Sequence, residues 1–255
     1  MHGELFDSTL PVGEPELLKA STYQRYLDTL KTGLGSRSGG SLTPEAEFSP
    51  SLLADLPRCE QPGGGYEVVE VVAACVRHST RLTIHLQCSE WVLPLTIFPR
   101  ERLAHCPIGL NELAERHLSM ARVMHLEPAV LRPPGDPLHG LIGDRHLYHL
   151  LAPLLWELAL RGPRPGLLPE IAGPAVYRVA PSLELDELAV TGVLKAAIAR
   201  LRLQSIPLNG IAAWPAFDRE RASRLLNALY LQAGLIVSRS HPDASGERWF
   251  GPLGR

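Results

Sequence analysis

The segment Phe217–Gly251 reads "FDRERASRLLNALYLQAGLIVSRSHPDASGERWFG" and decides the fold expected for the C-terminal quarter of this 255-residue chain. Asp218 stands directly before an amphipathic run, as a helix N-cap does, and Gly234 stands where the run ends. Apolar residues at helical spacing form the expected inward face of this helix: Ala222, Leu225, Leu226, Leu229 and Ala233. Two short β-rich runs then flank a polar turn, which predicts a hairpin.

Two further helices are predicted upstream of this segment. The first covers Glu187–Gln204, and the second covers Pro207–Trp214, where the opening proline lacks an N–H that the first helical turn does not need. Three helices followed by a hairpin, from Val190 to Phe250, resemble a winged-helix domain. In family members that bind DNA, the third helix enters the major groove and the hairpin, or wing, touches the backbone or the minor groove. Other winged helices are protein-interaction modules.

The resemblance implies a set of contact residues on the outward face of the third helix and on the wing. The outward face is expected to present Arg219, Glu220, Ser223, Arg224, Asn227 and Tyr230. Arginine and asparagine suit the edges of guanine and adenine, whereas exposed tyrosine and tryptophan commonly anchor protein interfaces. The predicted partner or DNA contacts are Arg219, Arg221, Arg224, Asn227, Tyr230, Arg239, Arg248 and Trp249.

Charge is distributed unevenly along the chain. The segment Thr191–Arg255 holds nine Lys/Arg and four Asp/Glu, whereas the preceding 190 residues hold 16 and 23. This asymmetry indicates an anionic partner for the basic segment or attraction between the two halves. Acidic residues inside the wing, Asp243 and Glu247, favour a protein partner over DNA. We therefore expect a non-catalytic regulatory or adaptor protein, with a DNA-binding transcriptional regulator as the alternative and a homodimer left open.

The front three quarters predict an α+β fold with a mainly antiparallel sheet. Four regions are expected: an N-terminal amphipathic helix within residues 1–31, a flexible Gly/Ser/Pro-rich linker over 32–65, an α+β domain over 66–186, and the winged-helix-like domain over 187–255. The tethered helix is expected to dock on a partner or on a second copy of the chain. The predicted strands are Tyr66–His78, Leu82–Cys88, Trp91–Phe98, Ala121–Pro128 and Pro174–Pro181, and helices are expected within Gly109–Ser119 and Asp136–Gly162.

Two sets of Cys and His residues suggest a metal site or a catalytic site as alternatives to an interaction protein. The pattern Cys75-x-x-His78 with His85-x-x-Cys88 has the residue types of a zinc site, but odd spacing on strands sends side chains to opposite faces. A third functional class is an enzyme with a Cys/His site in the α+β domain. Cys106 could pair with a distant histidine as a nucleophile, and His146 and His149 could form a metal or acid–base pair on one helix face. No hydrolase motif flanks that cysteine, so the sequence predicts no catalytic residues, no cofactor and no metal.

Composition sets the expected location and source of the protein. The apolar runs are too short to span a bilayer, and the N-terminus lacks the pattern of a secretory signal. Four cysteines in a chain of this length indicate reduced thiols rather than a disulfide framework. Only three lysines against 22 arginines suggest a GC-rich bacterial genome. We therefore expect a bacterial cytoplasmic protein that does not enter the membrane.

Overall fold

A computed structural model describes residues 17–34, 48–59, 66–136, 141–188 and 190–239. These residues form a mixed α+β fold with a mainly antiparallel main sheet. In chain order the elements are β1 (Leu18–Lys19), α1 (Ala20–Leu34), α2 (Pro50–Asp55), α3 (Val68–Arg77), β2 (Leu82–Cys88), β3 (Trp91–Phe98), β4 (Leu103–His105), α4 (Leu110–Glu112), β5 (Arg122–Pro128), β6 (Leu131–Arg132), β7 (Leu141–Ile142), β8 (Tyr148–Leu150), α5 (Leu151–Arg161), β9 (Val176–Val179), α6 (Gly192–Leu203), β10 (Ile206–Pro207), α7 (Leu208–Ala212), α8 (Arg219–Leu231) and β11 (Leu235–Ser238).

The main sheet has six strands in the order β5-β2-β3-β4-β8, with β1 paired to β3 beyond that path. Strands β2 and β3 confirm the predicted hairpin, in register from Leu82 opposite Ile97 to Cys88 opposite Trp91. Alternation along β2 sends its apolar residues to one face, where they are fully buried. That face packs into the hydrophobic core together with residues of α2, α3 and α5.

Pro94 lies in β3 opposite His85 of β2. On the other side of β3, β1 pairs only with Trp91 and Val92, and β4 begins to pair at Thr96. The missing N–H of the proline therefore falls in a gap between two neighbouring strands, where no ladder hydrogen bond is lost. The sequence predicted an edge or a bulge at this position, and the gap is a local edge.

The strand predicted over Tyr66–His78 is wrong, because residues 68–77 form the helix α3. The Glu67 carboxylate caps it by accepting hydrogen bonds from the backbone N–H groups of Val69 (3.1 Å) and Glu70 (2.9 Å). Seven of the ten helical residues are buried, so apolar side chains point in nearly every direction. The polar residues Glu70 and Arg77 lie seven positions apart on one helix face, but the valine-rich run has the composition of a strand, which favoured the wrong prediction.

The helices predicted over Asp136–Gly162 are correct only for α5. Residues Tyr148–Leu150 instead form β8, which pairs antiparallel with β4. Pro153 supplies the physical reason. Its ring clashes with a helix that extends a full turn upstream, so α5 begins at Leu151 and leaves the preceding residues free to join the sheet.

The three C-terminal helices α6, α7 and α8 occupy the predicted segments. Asp218 caps α8 as expected, with its Oδ1 accepting a 2.7 Å hydrogen bond from the backbone N–H of Arg221. The end of α8 differs from the prediction, because Ala233 rather than Gly234 takes the left-handed conformation (φ +54°). Gly234 serves close packing, since a Cβ there would lie 2.4–2.7 Å from side-chain atoms of Leu183.

A second sheet with the strand order β10-β9-β11 joins the C-terminal helices to the rest of the chain. Its central strand β9 precedes the predicted domain boundary between residues 186 and 187, whereas both of its neighbours follow that boundary. One continuous cluster of buried side chains also includes residues of both predicted domains. Within the described residues, the C-terminal helices therefore share a core with the front of the protein.

The helix α1 docks on the chain's own sheet. Tyr23 and Leu27 are buried against Val92, and the Tyr23 ring stacks on His85 with 4.9 Å between ring centroids. This contact covers Tyr23 and Leu27, whereas docking of the helix on a partner or on a second copy stays a prediction. Residues 1–16, 35–47 and 60–65 lie outside the described residues. The linker predicted over 32–65 is not flexible over 48–59, because α2 and the turn after it bury Leu52, Leu56 and Cys59 in the core.

Candidate interaction surface

The middle of α8 is buried, so the prediction of an outward face there is wrong for two of its residues. Ser223 is 2% exposed and Asn227 is fully buried. The Asn227 Oδ1 accepts a 2.9 Å hydrogen bond from the backbone N–H of Leu168, and its Nδ2 donates a 2.8 Å bond to the carbonyl of Gly166. The segment that follows α5 therefore covers the middle of α8, where the sequence placed two contact residues.

Two other predicted contact residues on α8 also serve the interior of the molecule. The Arg224 guanidinium donates to the carbonyls of Leu160 (3.1 Å) and Gly162 (2.7 Å), and so satisfies acceptors at the C-terminus of α5. Tyr230 forms a side-chain hydrogen bond with Arg77 of α3. Both side chains are half-buried and hold α8 against the front of the protein.

The wing residues are placed only in part. Arg239 is exposed and donates to the carbonyls of Glu170 (2.8 Å) and Ala172 (3.3 Å). Arg248 and Trp249 lie outside the described residues, as does the second strand of the predicted hairpin. Their role as contacts therefore stays a prediction.

Arg219 and Arg221 are exposed at the start of α8, where the sequence placed them. Arg219 Nη1 donates to Asn209 Oδ1 of α7 at 2.9 Å, and Arg221 Nη1 donates to the carbonyl of Ala216 at 2.9 Å. Both partners are neutral, so each guanidinium keeps its full charge at the surface. These two arginines, like the exposed Arg239, are predicted contacts that remain available to a ligand.

The two arginines belong to a larger set that we call the arginine–aromatic surface: Arg200, Trp214, Phe217, Arg219 and Arg221. Contacts run through it in order, from Arg200 Cζ 4.7 Å above the centre of the Trp214 ring to Arg221 Cζ 5.6 Å above the centre of the Phe217 ring. The two rings meet edge to face, with centroids 5.9 Å apart and planes at 89°. Each ring therefore supports one guanidinium and contacts the other ring.

The turn between α7 and α8 sets the position of both rings. The backbone N–H of Trp214 bonds to the carbonyl of Ile211 (3.0 Å), and that of Phe217 bonds to the carbonyl of Trp214 (3.0 Å). Ala216 completes the turn in the left-handed conformation, with φ +63°. Each ring is half-buried and packs on the core, so only part of it faces solvent.

Sequence reasoning missed three members of this surface: Arg200, Trp214 and Phe217. The two aromatic residues bracket a Pro-Ala turn between predicted helices, a signal that such rings lie on the same side. Arg200 is on α6, and its position above Trp214 depends on the tertiary packing of α6 against the turn.

Electrostatics distinguish this surface from the nearby ion pairs. Asp218 Oδ1 is engaged by the backbone of Arg221, and Glu220 Oε1 accepts a 2.9 Å hydrogen bond from Arg224 Nε. Among the residues that the structure describes, no carboxylate forms an ion pair with Arg200, Arg219 or Arg221. The neutral backbone N–H that Asp218 accepts leaves its carboxylate charged, so three guanidiniums lie beside one carboxylate. The surface keeps a net positive charge and can accept anionic groups.

A cleft of about 620 Å³ lies along α6 and has a mixed character. Its charged walls are Glu184, Asp186, Lys195 and Arg202, and the Arg202 Nη2 donates to the carbonyl of Leu183 at 2.7 Å. Opposite charges at comparable number give the cleft no preference for one sign of ligand. We therefore place the candidate site at the arginine–aromatic surface.

The thiol and imidazoles of the alternative enzyme site do not form a nucleophile. Cys106 is buried, and burial raises its pKa to about 12, so the thiol is protonated at neutral pH. His146 is exposed in a turn, whereas His149 lies in β8 rather than beside it on a helix face. Burial, followed by the neighbouring His149, lowers the pKa of His105.

The residues of the Cys/His pattern have separate partners. Cys75 donates its thiol to the carbonyl of Thr80 (2.8 Å), His78 contacts Asp55 (2.8 Å), and His85 contacts Glu127 (2.8 Å). Cys75 lies in the helix α3 and His78 at its C-cap, so the strand-spacing argument applies only to the second pair. In the described part of the chain, no three His, Cys, Asp or Glu residues are grouped to hold a metal ion.

No helix within the described ranges has both the length and the apolar character needed to cross a membrane.

Comparison with known proteins adds no relative to this description. No protein-family model, curated protein or solved structure compared with the chain matches it.

Proposed function

We propose that this chain is a non-catalytic regulatory adaptor that binds another protein through the arginine–aromatic surface. The observation that carries the proposal is the stacked series of two arginines and two aromatic rings on α6, the α7–α8 turn and α8. Arginine and aromatic side chains are enriched among residues that dominate protein–protein binding energy. Here the rings are already fixed by the core, so little conformational freedom is lost on binding.

The winged-helix resemblance forms part of this proposal. The order α6-β10-α7-α8-β11 supports a winged-helix-like module, with β11 as the first strand of the wing. A DNA-reading module lays its third helix in the major groove and contacts base edges with the N-terminal residues of that helix. Those residues are exposed in α8, but Asn227 in the middle is buried beneath the segment that follows α5, which leaves only the start of the helix open. We therefore take the module to be a platform for the exposed turn.

One observation favours duplex DNA as a second candidate ligand. Between Val190 and Arg239 the chain holds seven Lys/Arg and two Asp/Glu, an excess that attracts any polyanion. Arg219 and Arg221 would then contact phosphates from the start of α8. Such binding would be steeply salt-dependent and insensitive to sequence.

Site-specific photo-crosslinking in the native cytoplasm tests the proposal. A photoreactive residue at the exposed Ala213, next to Trp214, is expected to form an adduct with a defined protein, whereas one at the exposed Ser21 of α1 is not. The double variant Arg200→Glu/Arg221→Glu should remove the adduct. The matched variant Arg145→Glu, at an exposed arginine away from the rings, should retain it.

Two outcomes contradict the adaptor proposal. The first is an adduct at Ala213 that persists in the double variant, because the contact then does not depend on the surface. The second is tight retention of the full-length protein on duplex DNA at moderate salt that is lost in the same variant. That result would transfer the function to nucleic acid.

A further inference from the structure

We infer that the segment bound by the arginine–aromatic surface is an acidic stretch of the partner protein in which carboxylates flank an apolar side chain. This inference rests on the proposed function and names the chemistry of its ligand. It depends on the charge of the surface, on the geometry of its guanidinium groups and on the two rings between them.

The cationic groups of the surface have the free capacity that carboxylates require. Within the described part of the chain, Arg200 contacts the Trp214 ring and no carboxylate. Arg219 and Arg221 each give one N–H to a neutral oxygen. A guanidinium carries five N–H donors, so most donors of the three groups are available. Carboxylates match this planar donor arrangement and can accept two parallel hydrogen bonds from one arginine.

The rings hold two of these guanidiniums in place and supply an apolar strip between them. Arg200 and Arg221 lie at the two ends of the series, with the edge-to-face pair of Trp214 and Phe217 in the middle. A ligand that matches this order has an acidic group, an apolar side chain and a second acidic group. An extended peptide segment presents groups in that order along its length.

A protein segment fits this surface better than a nucleic acid does. A duplex needs a helix or strand that lies in a groove, and only the start of α8 is open because the segment after α5 covers its centre. A short acidic segment needs only the three arginines and the rings.

Fluorescence anisotropy with the full-length protein tests the inference. The probe is a short labelled peptide of Glu and Asp residues around a central Phe or Leu. Its matched control replaces every Glu by Gln and every Asp by Asn. We expect the acidic peptide to bind at low salt, the amide peptide to bind at least about tenfold more weakly, and the acidic peptide to weaken as salt is raised.

Variants then assign the binding to the surface. Arg200→Gln/Arg221→Gln should weaken the acidic peptide about tenfold, because two exposed arginine–carboxylate contacts are lost. Arg145→Gln should leave its affinity unchanged. Circular dichroism of each variant confirms that the fold is retained, and the exposed positions of these arginines make that the expected result.

Three results overturn the inference: no binding of the acidic peptides, equal binding of the amide peptide, or tighter binding of a short labelled DNA duplex than of the acidic peptides. The proposed function fails separately. If the Ala213 adduct depends on Arg200 and Arg221 but the acidic peptides do not bind, the surface still contacts a protein and only the acidic chemistry of its ligand is wrong.

Discussion

Replacing Asn227 by alanine should destabilise the protein strongly, because its side chain is a buried connector between α8 and the segment after α5. The change removes the acceptor of the Leu168 N–H and the donor to the Gly166 carbonyl. Leu168 is fully buried, so its N–H would lose its partner without access to water. Gly166 is exposed, so its carbonyl can bond to solvent instead.

The expected magnitude follows from this difference between the two partners. Leaving the buried N–H of Leu168 unsatisfied costs about 1–3 kcal/mol. Loss of the bond to the solvent-accessible Gly166 carbonyl costs about 0.5–1.5 kcal/mol. We therefore expect Asn227→Ala to lower the free energy of unfolding by about 1.5–4.5 kcal/mol.

Urea unfolding followed by circular dichroism measures this free energy, and Ser223→Ala provides the matched control. Ser223 lies one turn earlier on α8, is also buried, and bonds only to the carbonyl of Arg219 four residues back. Such a bond within the helix contributes little, so the control should stay within about 0.5 kcal/mol of the wild type. Amide exchange should accelerate at Leu168 in Asn227→Ala and not in Ser223→Ala.

An Asn227→Ala variant with wild-type stability would refute this reasoning. That result would mean that the central face of α8 is solvated and free to contact a ligand. The centre of α8, like its start, would then be open to a DNA groove. A large loss in both variants would show instead that α8 tolerates no change on this face, and the hydrogen bonds of Asn227 would have no special part.

Three further predictions concern the end of α8 and the buried titratable groups. Ala233→Gly should raise the free energy of unfolding by about 0.5–1 kcal/mol, because φ is positive there, whereas Gly234→Ala should lower it through contact with Leu183; urea midpoints check both. Burial raises the pKa of the Cys106 thiol to about 12, so this thiol should react slowly with a disulfide reagent at pH 8. The free energy of unfolding should fall as the pH rises above the ordinary thiol pKa, because only the unfolded chain then loses the proton. The lowered pKa of His105 predicts a loss of stability as the pH falls below about 6.5, since the unfolded chain binds the proton first. The variant His105→Phe should reduce that loss.

The fold could be predicted from the sequence where one face of an element meets water. Strand β2 alternates, and α8 has an inward apolar stripe with a cap at Asp218, so both were predicted correctly. Helix α3 was missed because its valine-rich composition is typical of a strand and outweighed the helical spacing of Glu70 and Arg77. Strand β8 was missed because pairing with β4, which is distant in sequence, determines its conformation.

The candidate site could be predicted only in part. Arg219 and Arg221 could be identified because they follow a recognisable N-cap, Asp218, in the first turn of a helix. Asn227 was misplaced because a polar residue on a helix surface was taken to be solvated, whereas a second layer of backbone covers it. The position of Arg200 above Trp214 depends on how α6 packs, which no local pattern reports.

The strand order of the second sheet bears on how this chain folds during synthesis. Strand β9 is made well before β10 and β11, yet it lies between them and buries Val176, Tyr177 and Val179. One edge can pair once Ile206–Pro207 has been translated, but the other stays unpaired until Leu235–Ser238 has been made, which leaves an apolar strand open to other chains. A chain that stops before β11 would therefore be prone to aggregate, and a fragment that starts at residue 187 would lack the central strand of its own sheet.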